Sequence, residues 1–291
     1  MMAGIVQTIF DALLLIGLYS IGASGFGMIW GVLNLLNLSF GAFIMLGGYS
    51  IVLLSNCGID PLLALPVTML VLFTIGWGVQ RGILNRVLDA PPSLAITLTY
   101  GLNLMITGAM LYFFSAEFRT VQLPKYLHGY FVLWGAQLTY ARAATTAIAL
   151  VVTAGVWWFI DRTELGMAIR ATRLDSEAAR LVGIRTKSIY QLVAGISSML
   201  AGAMGGLAVL VFSVSPQMGD VWLLQIFVVT VLGGLGSVIG PLLGSIVVGL
   251  SNSIVGSYYG ATYGTLVGTL LVLVVLLIRP AGLLGRRFYE V

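Results

Sequence analysis

Residues 166–189 read GMAIRATRLDSEAARLVGIRTKSI, with Asp175 and Glu177 set among Arg170, Arg173, Arg180, Arg185 and Lys187. From residue 188 to residue 278 the chain then carries a single Asp, Glu, Lys or Arg, namely Asp220. A charge at the centre of a helix in lipid costs roughly 2.5–3.5 kcal/mol on insertion scales, so an uncharged stretch of that length belongs in a membrane. The basic island before it belongs in a cytoplasmic loop, as a short helix presented to a partner.

Composition agrees. The hydrophobic fraction is 59% and the charged fraction 8%, against about 25% charged in a soluble domain. Mean hydropathy is +1.05. The fold class is therefore all-α and polytopic, a single membrane domain over residues 1–291 with its polar loop at 161–188. The net charge of +4 points to loops and membrane lipid, with no nucleic acid implied. Cys57 is the single cysteine and His128 the single histidine, which excludes an intrachain disulfide and a His-based metal cluster. No Lys or Arg precedes the first apolar run, so the expectation is an uncleaved first helix with its N-terminus outside.

At about 20 apolar residues per crossing, spans are expected near 7–31, 37–55, 61–80, 93–114, 143–160, 189–213, 222–237, 239–257 and 261–278. Glycine and polar residues in the second span and in 222–257 predict a broken or re-entrant helix, giving eight to ten elements. With the N-terminus outside, segments 81–92, 161–188 and 279–291 face the cytoplasm and hold 11 of the 14 Lys and Arg. Arg119, Lys125 and Arg142 remain in the outer loop 115–142, an asymmetry that supports the orientation.

Gly260, Gly264 and Gly268 fall four apart, as do Gly236, Gly240 and Gly244. Small residues at that spacing let helix backbones approach closely in lipid. Two Gly-rich pairs of spans, 22–48 and 233–256, raise the question of an inverted repeat.

No catalytic constellation is present: no paired carboxylates, G-x-S-x-G or H-E-x-x-H, and no P-loop, since Thr186 stands where the glycine before Lys187-Ser188 is required. Acidic residues fall in loops or at span edges. In the polar loop, Leu165, Ala168, Ile169 and Thr172, with Ala179, Leu181 and Ile184 further on, give an apolar stripe opposite the arginines. Such a helix suits a partner protein or anionic headgroups.

Four stretches together resemble one family. Glu177-Ala178-Ala179 followed by Gly183 matches the E-A-A-x-x-x-G signature of ABC importer permeases. Asn34 to Tyr49 is similar to the second-helix signature of the branched-chain amino-acid permeases of that class (the LivH/LivM type). Gly166–Ile184 is similar to its cytoplasmic loop, Val231–Gly244 to its Gly-rich late helix, and Arg279–Gly285 to its ending. The resemblance covers essentially the whole chain, with the length closest to LivH. Phe40, Gly41 and Ala42 replace the His-Gly-acid common in LivH-type second helices, which removes an obvious acidic partner for a substrate amino group.

The resemblance implies a bacterial inner-membrane permease for a small amino-acid-like solute, branched-chain amino acids first, with urea, short amides and aromatic carboxylates as alternatives. It implies a second permease, identical or homologous, two ATPase subunits that bind the ATP and magnesium, and an extracytoplasmic binding protein; the chain itself would be no enzyme and carry no cofactor. Arg170, Asp175, Glu177, Ala178 and Gly183 would then form the coupling surface. Polar residues inside the spans are the pathway candidates: Asn34, Asn37, Ser39 and Gly41, then Thr99 and Asn103, which share a helix face. Thr97, Gln191 and Asn252 follow. A stand-alone secondary transporter or channel is the competing class. Such proteins place ionisable groups or broken helices near the membrane centre, and no central Asp, Glu or Lys is expected in these spans.

Overall fold

The computed structural model describes residues 2–88, 90–133, 135–234, 237, 239–279 and 282–284. The helices are α1 (Met2–Leu33), α2 (Phe40–Asn56), α3 (Pro61–Gly82), α4 (Pro92–Phe114), α5 (Tyr140–Arg162), α6 (Glu164–Leu174), α7 (Ser176–Leu181), α8 (Thr186–Ala208), α9 (Met218–Gly233), α10 (Gly240–Tyr259) and α11 (Ala261–Ile278). Each of the nine expected spans coincides with a helix, and the polar loop contains two short helices rather than one. Among the described residues six helices are long and apolar enough to cross a membrane. With 17 and 16 residues, α2 and α9 reach only about 24–26 Å at 1.5 Å per residue, short of a ~30 Å hydrocarbon core.

Helix α8 is the hub. Its small residues allow contact too close for a Cβ: one on Gly205 would overlap the Ile44 carbonyl of α2, and one on Gly202 the Leu72 side chain of α3. Where hydrophobicity alone cannot pull helices together, such close backbone packing does. Hydroxyls join α1 to α10, with Ser20 and Ser245 oxygens 3.0 Å apart and Ser253 donating to the Thr8 carbonyl at 2.6 Å. Gly240 and Gly244 pack on the Gly233 and Val229 carbonyls, and Gly264 and Gly268 on Asn252, so these glycines serve packing. Gly260 instead forms the α10–α11 turn at φ +101°, and Gly236 lies outside the described residues. Leu283 and Leu284 donate their amides to the Leu232 and Gly233 carbonyls at 2.8 and 3.1 Å, closing the C-terminal end of α9.

At the end opposite α6, β1 (Tyr130–Leu133) and β2 (Ala136–Thr139) form an antiparallel hairpin. Arg119 and Val214 exchange backbone hydrogen bonds of 2.9 and 2.8 Å, tying that loop to the segment entering α9. An ion pair between Asp11 and Arg142 joins α1 to α5.

Helix α9 starts deep inside the bundle. Trp222 in its second turn packs edge-on against Tyr19, ring centroids 6.0 Å apart, and Tyr19 lies midway along α1. Asp220, in the first turn, meets Asn103 midway along α4. Asp220 thus stands at a helix edge, as expected of acidic residues here, with its side chain exposed, but that edge lies level with the middle of α1 and α4, because the chain enters to half the height of the bundle before α9 begins.

Candidate functional site

The connection between α1 and α2 is built by its own polar residues. Asn34 takes φ +52°, the left-handed conformation that Asn tolerates better than most residues, and its amide still bonds to the Trp30 carbonyl at 2.9 Å. Asn37 accepts from the Ser39 amide at 3.0 Å and from the Ser39 hydroxyl at 2.6 Å, and so fixes the start of α2. Both are buried. Non-helical backbone at membrane depth must find partners within the protein, and α4 supplies one. The Thr99 hydroxyl accepts the Leu38 amide at 3.3 Å and lies 3.0 Å from the Ile96 carbonyl.

One turn further along α4, the Asn103 amide nitrogen donates to a carboxylate oxygen of Asp220 at 3.1 Å. That partner fixes the orientation of the amide, since a carboxylate accepts only. The Asn103 carbonyl oxygen is left buried without a hydrogen-bond partner, at a cost of about 1–3 kcal/mol until a donor arrives. Gly41 and Gly219 cross beside this pair, each against the other's carbonyl. The structure thus brings Asn37, Ser39, Gly41, Thr99 and Asn103 together, next to Asn34 in the α1–α2 connection. It also adds Asp220, which sequence reasoning passed over although it is the only charge in residues 188–278. Leu224, one helical turn beyond it, is exposed. Two acceptors, one charged and one orphaned, beside an apolar residue suit an ammonium-bearing solute with an aliphatic side chain.

Other polar residues act locally. Thr97 is exposed and bonds to the Ser93 carbonyl at 2.9 Å. Asn252 donates to the Tyr19 hydroxyl at 3.0 Å and to Gln225 at 3.4 Å, linking three helices. Gln191 is half-buried on α8. Among the described residues no three His, Cys, Asp or Glu side chains gather as metal ligands.

The second surface is α6–α7. Asp175 caps α7 by accepting the Glu177 and Ala178 amides at 2.8 and 3.0 Å. Gly183, at φ +88°, ends it, with the Ile184 amide reaching back to the Ala179 carbonyl at 3.0 Å, a Schellman closure. Arg170 pairs with Asp161 of α5 at 2.9 Å. The expected apolar stripe is corrected in part: Ile169, Thr172 and Ala179 are buried, whereas Leu165 and Leu181 are exposed. Leu174, Leu181 and Val182 are 77–89% exposed beside Glu177 and Ala178, an apolar tip on a charged loop.

Comparison with known proteins follows the same lines. The chain is 27% identical over 283 residues to the high-affinity branched-chain amino acid transport system permease protein BraD of Pseudomonas aeruginosa, covering 92% of each. It is 26% identical over 295 residues to the permease LivH of Escherichia coli K12, covering 96% of this chain and 95% of LivH. In fold it is similar to PsaBC from Streptococcus pneumoniae, with TM-score 0.51 and 15% identity over 94% of this chain and 93% of that one. The family described as branched-chain amino acid transport system / permease component matches residues 8–278. The chain is a multi-pass membrane protein and a transport permease, and it belongs to that family.

Proposed function

We propose that this single-domain permease forms half of the membrane core of an ABC importer for branched-chain amino acids. A second permease, identical or homologous, completes the core. Two ATPase subunits dock on α6–α7, and an extracytoplasmic binding protein delivers the solute. The α6–α7 end is cytoplasmic and the N-terminus is outside, which agrees with the Lys and Arg asymmetry.

The observation that carries this reading is the Asn103–Asp220 pair at half height. An α-ammonium group passing there gives the orphaned Asn103 carbonyl a donor and Asp220 an opposite charge. The contact lasts only as long as the path holds the solute, since a translocation site must release what it binds. Asp220 also weighs against aromatic carboxylates that lack an amine, because like charges repel. Urea and short amides, which are N–H donors, form the second reading. At the other end the exposed Leu174, Leu181 and Val182 support docking by their apolar surface, with Arg170, Asp175 and Gly183 holding the two helices in place. ATP-driven movement of the ATPases then switches the core between inward- and outward-facing states.

Affinity purification in mild detergent followed by reconstitution tests this. The expected result is co-purification of ATPase subunits and a second permease, with ATP-dependent uptake of leucine and no uptake of benzoate. Leucine uptake without ATP, or a preference for benzoate, would contradict it.

A further inference from the structure

A cavity of roughly 530 Å³ opens between α1, α5, α6 and α10. Among the described residues α5 and α10 each pack on α1 rather than on each other, so α1 forms its floor and the other two its walls. Leu150, Ala154 and Trp157 line one wall and Leu242 the other, while Arg170 and Arg173 of α6 stand at one end. Its size falls within the ~300–1,000 Å³ range of small-molecule sites.

The lining selects the occupant. Apart from the two arginines its polar side-chain groups are the hydroxyls of Ser24, Thr153 and Ser237 and the indole N–H of Trp157, and no carboxylate lines it. An ammonium group finds no counter-charge there, in contrast to the Asn103–Asp220 pair. The α5–α6 junction sets Arg162, Arg170 and Arg173 among Asp161 and Glu164, and of these five charged residues only Arg170 and Arg173 line the apolar slot. Arg170 spends one arm on Asp161, and a guanidinium has five donors in a fork that matches phosphate oxygens. Trp157 and Trp158 are 52% and 62% exposed near the end of α5, the depth at which indoles mark a membrane interface. Basic pockets between spans on the cytoplasmic side are suited to anionic headgroups.

We infer that this groove holds an anionic phospholipid of the leaflet on the α6 side, cytoplasmic in the proposed orientation. One acyl chain lies between α5 and α10, and the phosphate lies against Arg170 and Arg173. A lipid held there braces α6 against α1 and α10. The inference does not depend on which solute the permease carries.

The test is to place the purified full-length chain in nanodiscs with photoreactive, diazirine-bearing phosphatidylglycerol or phosphatidylcholine, and to map crosslinks by mass spectrometry. Phosphatidylglycerol should label the α5 and α10 walls in preference to phosphatidylcholine. Ala154→Trp, which fills the slot, should abolish that labelling, and Arg173→Gln should remove the preference between the two lipids. Leu242→Trp fills the slot from the opposite wall and serves if Ala154→Trp does not assemble. Equal labelling by both lipids in the wild-type chain, unchanged labelling in a slot-filling variant, or a protein segment occupying the groove in the assembled transporter would overturn the inference.

Discussion

Helices α8 and α4 are both 23 residues long, and they use membrane sequence in opposite ways. In α8 almost every residue beyond the first turn is buried, and the Gly, Ala and Ser among them let the backbone of α2 and the side chains of α3 approach closely. In α4 only Ala95, Thr99, Asn103 and Met110 are buried, while Tyr100, Leu104 and Met105 are exposed. The stripe that α4 turns to its neighbours is thus partly polar and its outer face apolar, the reverse of a soluble amphipathic helix. The contrast separates the scaffold from the proposed site. Helix α8 holds α2 and α3 by close contact, closest at Gly205 where an added carbon would meet the Ile44 carbonyl, and α4 brings Thr99 and Asn103 to the α1–α2 connection and the start of α9 with little packing of its own.

The sharpest way to break that contrast is a pair of substitutions. Gly205→Leu in α8 must displace a backbone carbonyl, so the cost should reach or exceed the upper end of the roughly 1–3 kcal/mol typical of overpacking. The folded chain should disappear from size-exclusion profiles. Gly101→Leu in α4, where an added Cβ meets nothing within 4 Å, should elute and melt like the wild-type chain. Equal behaviour of the two would dissolve the distinction.

A substitution at the far end of the scaffold comes next. Proline is held near φ −65° and cannot adopt the positive φ of Gly183. Gly183→Pro should therefore leave insertion intact and remove solute-stimulated ATP hydrolysis by the assembled transporter; Glu177→Lys on the exposed face of α7 should do the same more weakly. Normal stimulation in both would return α6–α7 to a membrane-surface role.

Thr99→Val probes the α4 side with a smaller effect. It leaves the Leu38 amide without its acceptor, worth about 1 kcal/mol, and should lower the Tm by a few degrees and speed hydrogen exchange at Leu38. Unchanged exchange would mean that α4 does not support the broken segment.

The smallest effect lies outside the bundle, where the Tyr126 hydroxyl donates to Asp60, 2.7 Å from either carboxylate oxygen. Burial, then the hydrogen bond to Asp60 and its negative charge, push the phenol up to about 12. The folded chain therefore holds this proton more tightly than the unfolded chain, whose phenol titrates near ~10. The resulting stability is fully present below about pH 10 and lost as pH climbs towards 12. Thermal melts over that window should fall more steeply for the wild-type chain than for Tyr126→Phe; parallel curves would show that the contact is not kept in solution.

Much of this was legible in the sequence. Hydropathy and charge placed nine helices and the polar loop, because exclusion of charge from lipid is the strongest constraint on such a chain. The Asn34–Gly41 stretch announced a break by mixing Asn, Ser and Gly into an apolar run. The depth of α9 was not legible. Asp220 reads as a span edge because hydropathy locates apolar residues but not the level at which a helix begins. The half-height position arises from Trp222 on Tyr19 and from the Gly41–Gly219 crossing, contacts between residues about 180–200 positions apart. The split of the polar loop was hidden for a similar reason. Asp175 caps a new helix there, and a mid-loop aspartate carries that meaning only once the turn is formed.

The most direct test of the account is uptake of leucine by the reconstituted transporter carrying Asp220→Asn. Asparagine keeps the size of the side chain and removes the charge. Loss of a charge-assisted contact, worth about 1.5–3 kcal/mol, predicts that ATP-dependent uptake at low leucine falls about ten- to a hundredfold while assembly with the ATPases is unchanged. Uptake equal to wild type at normal assembly would contradict the account and leave Asp220 as a helix-capping charge with no part in transport.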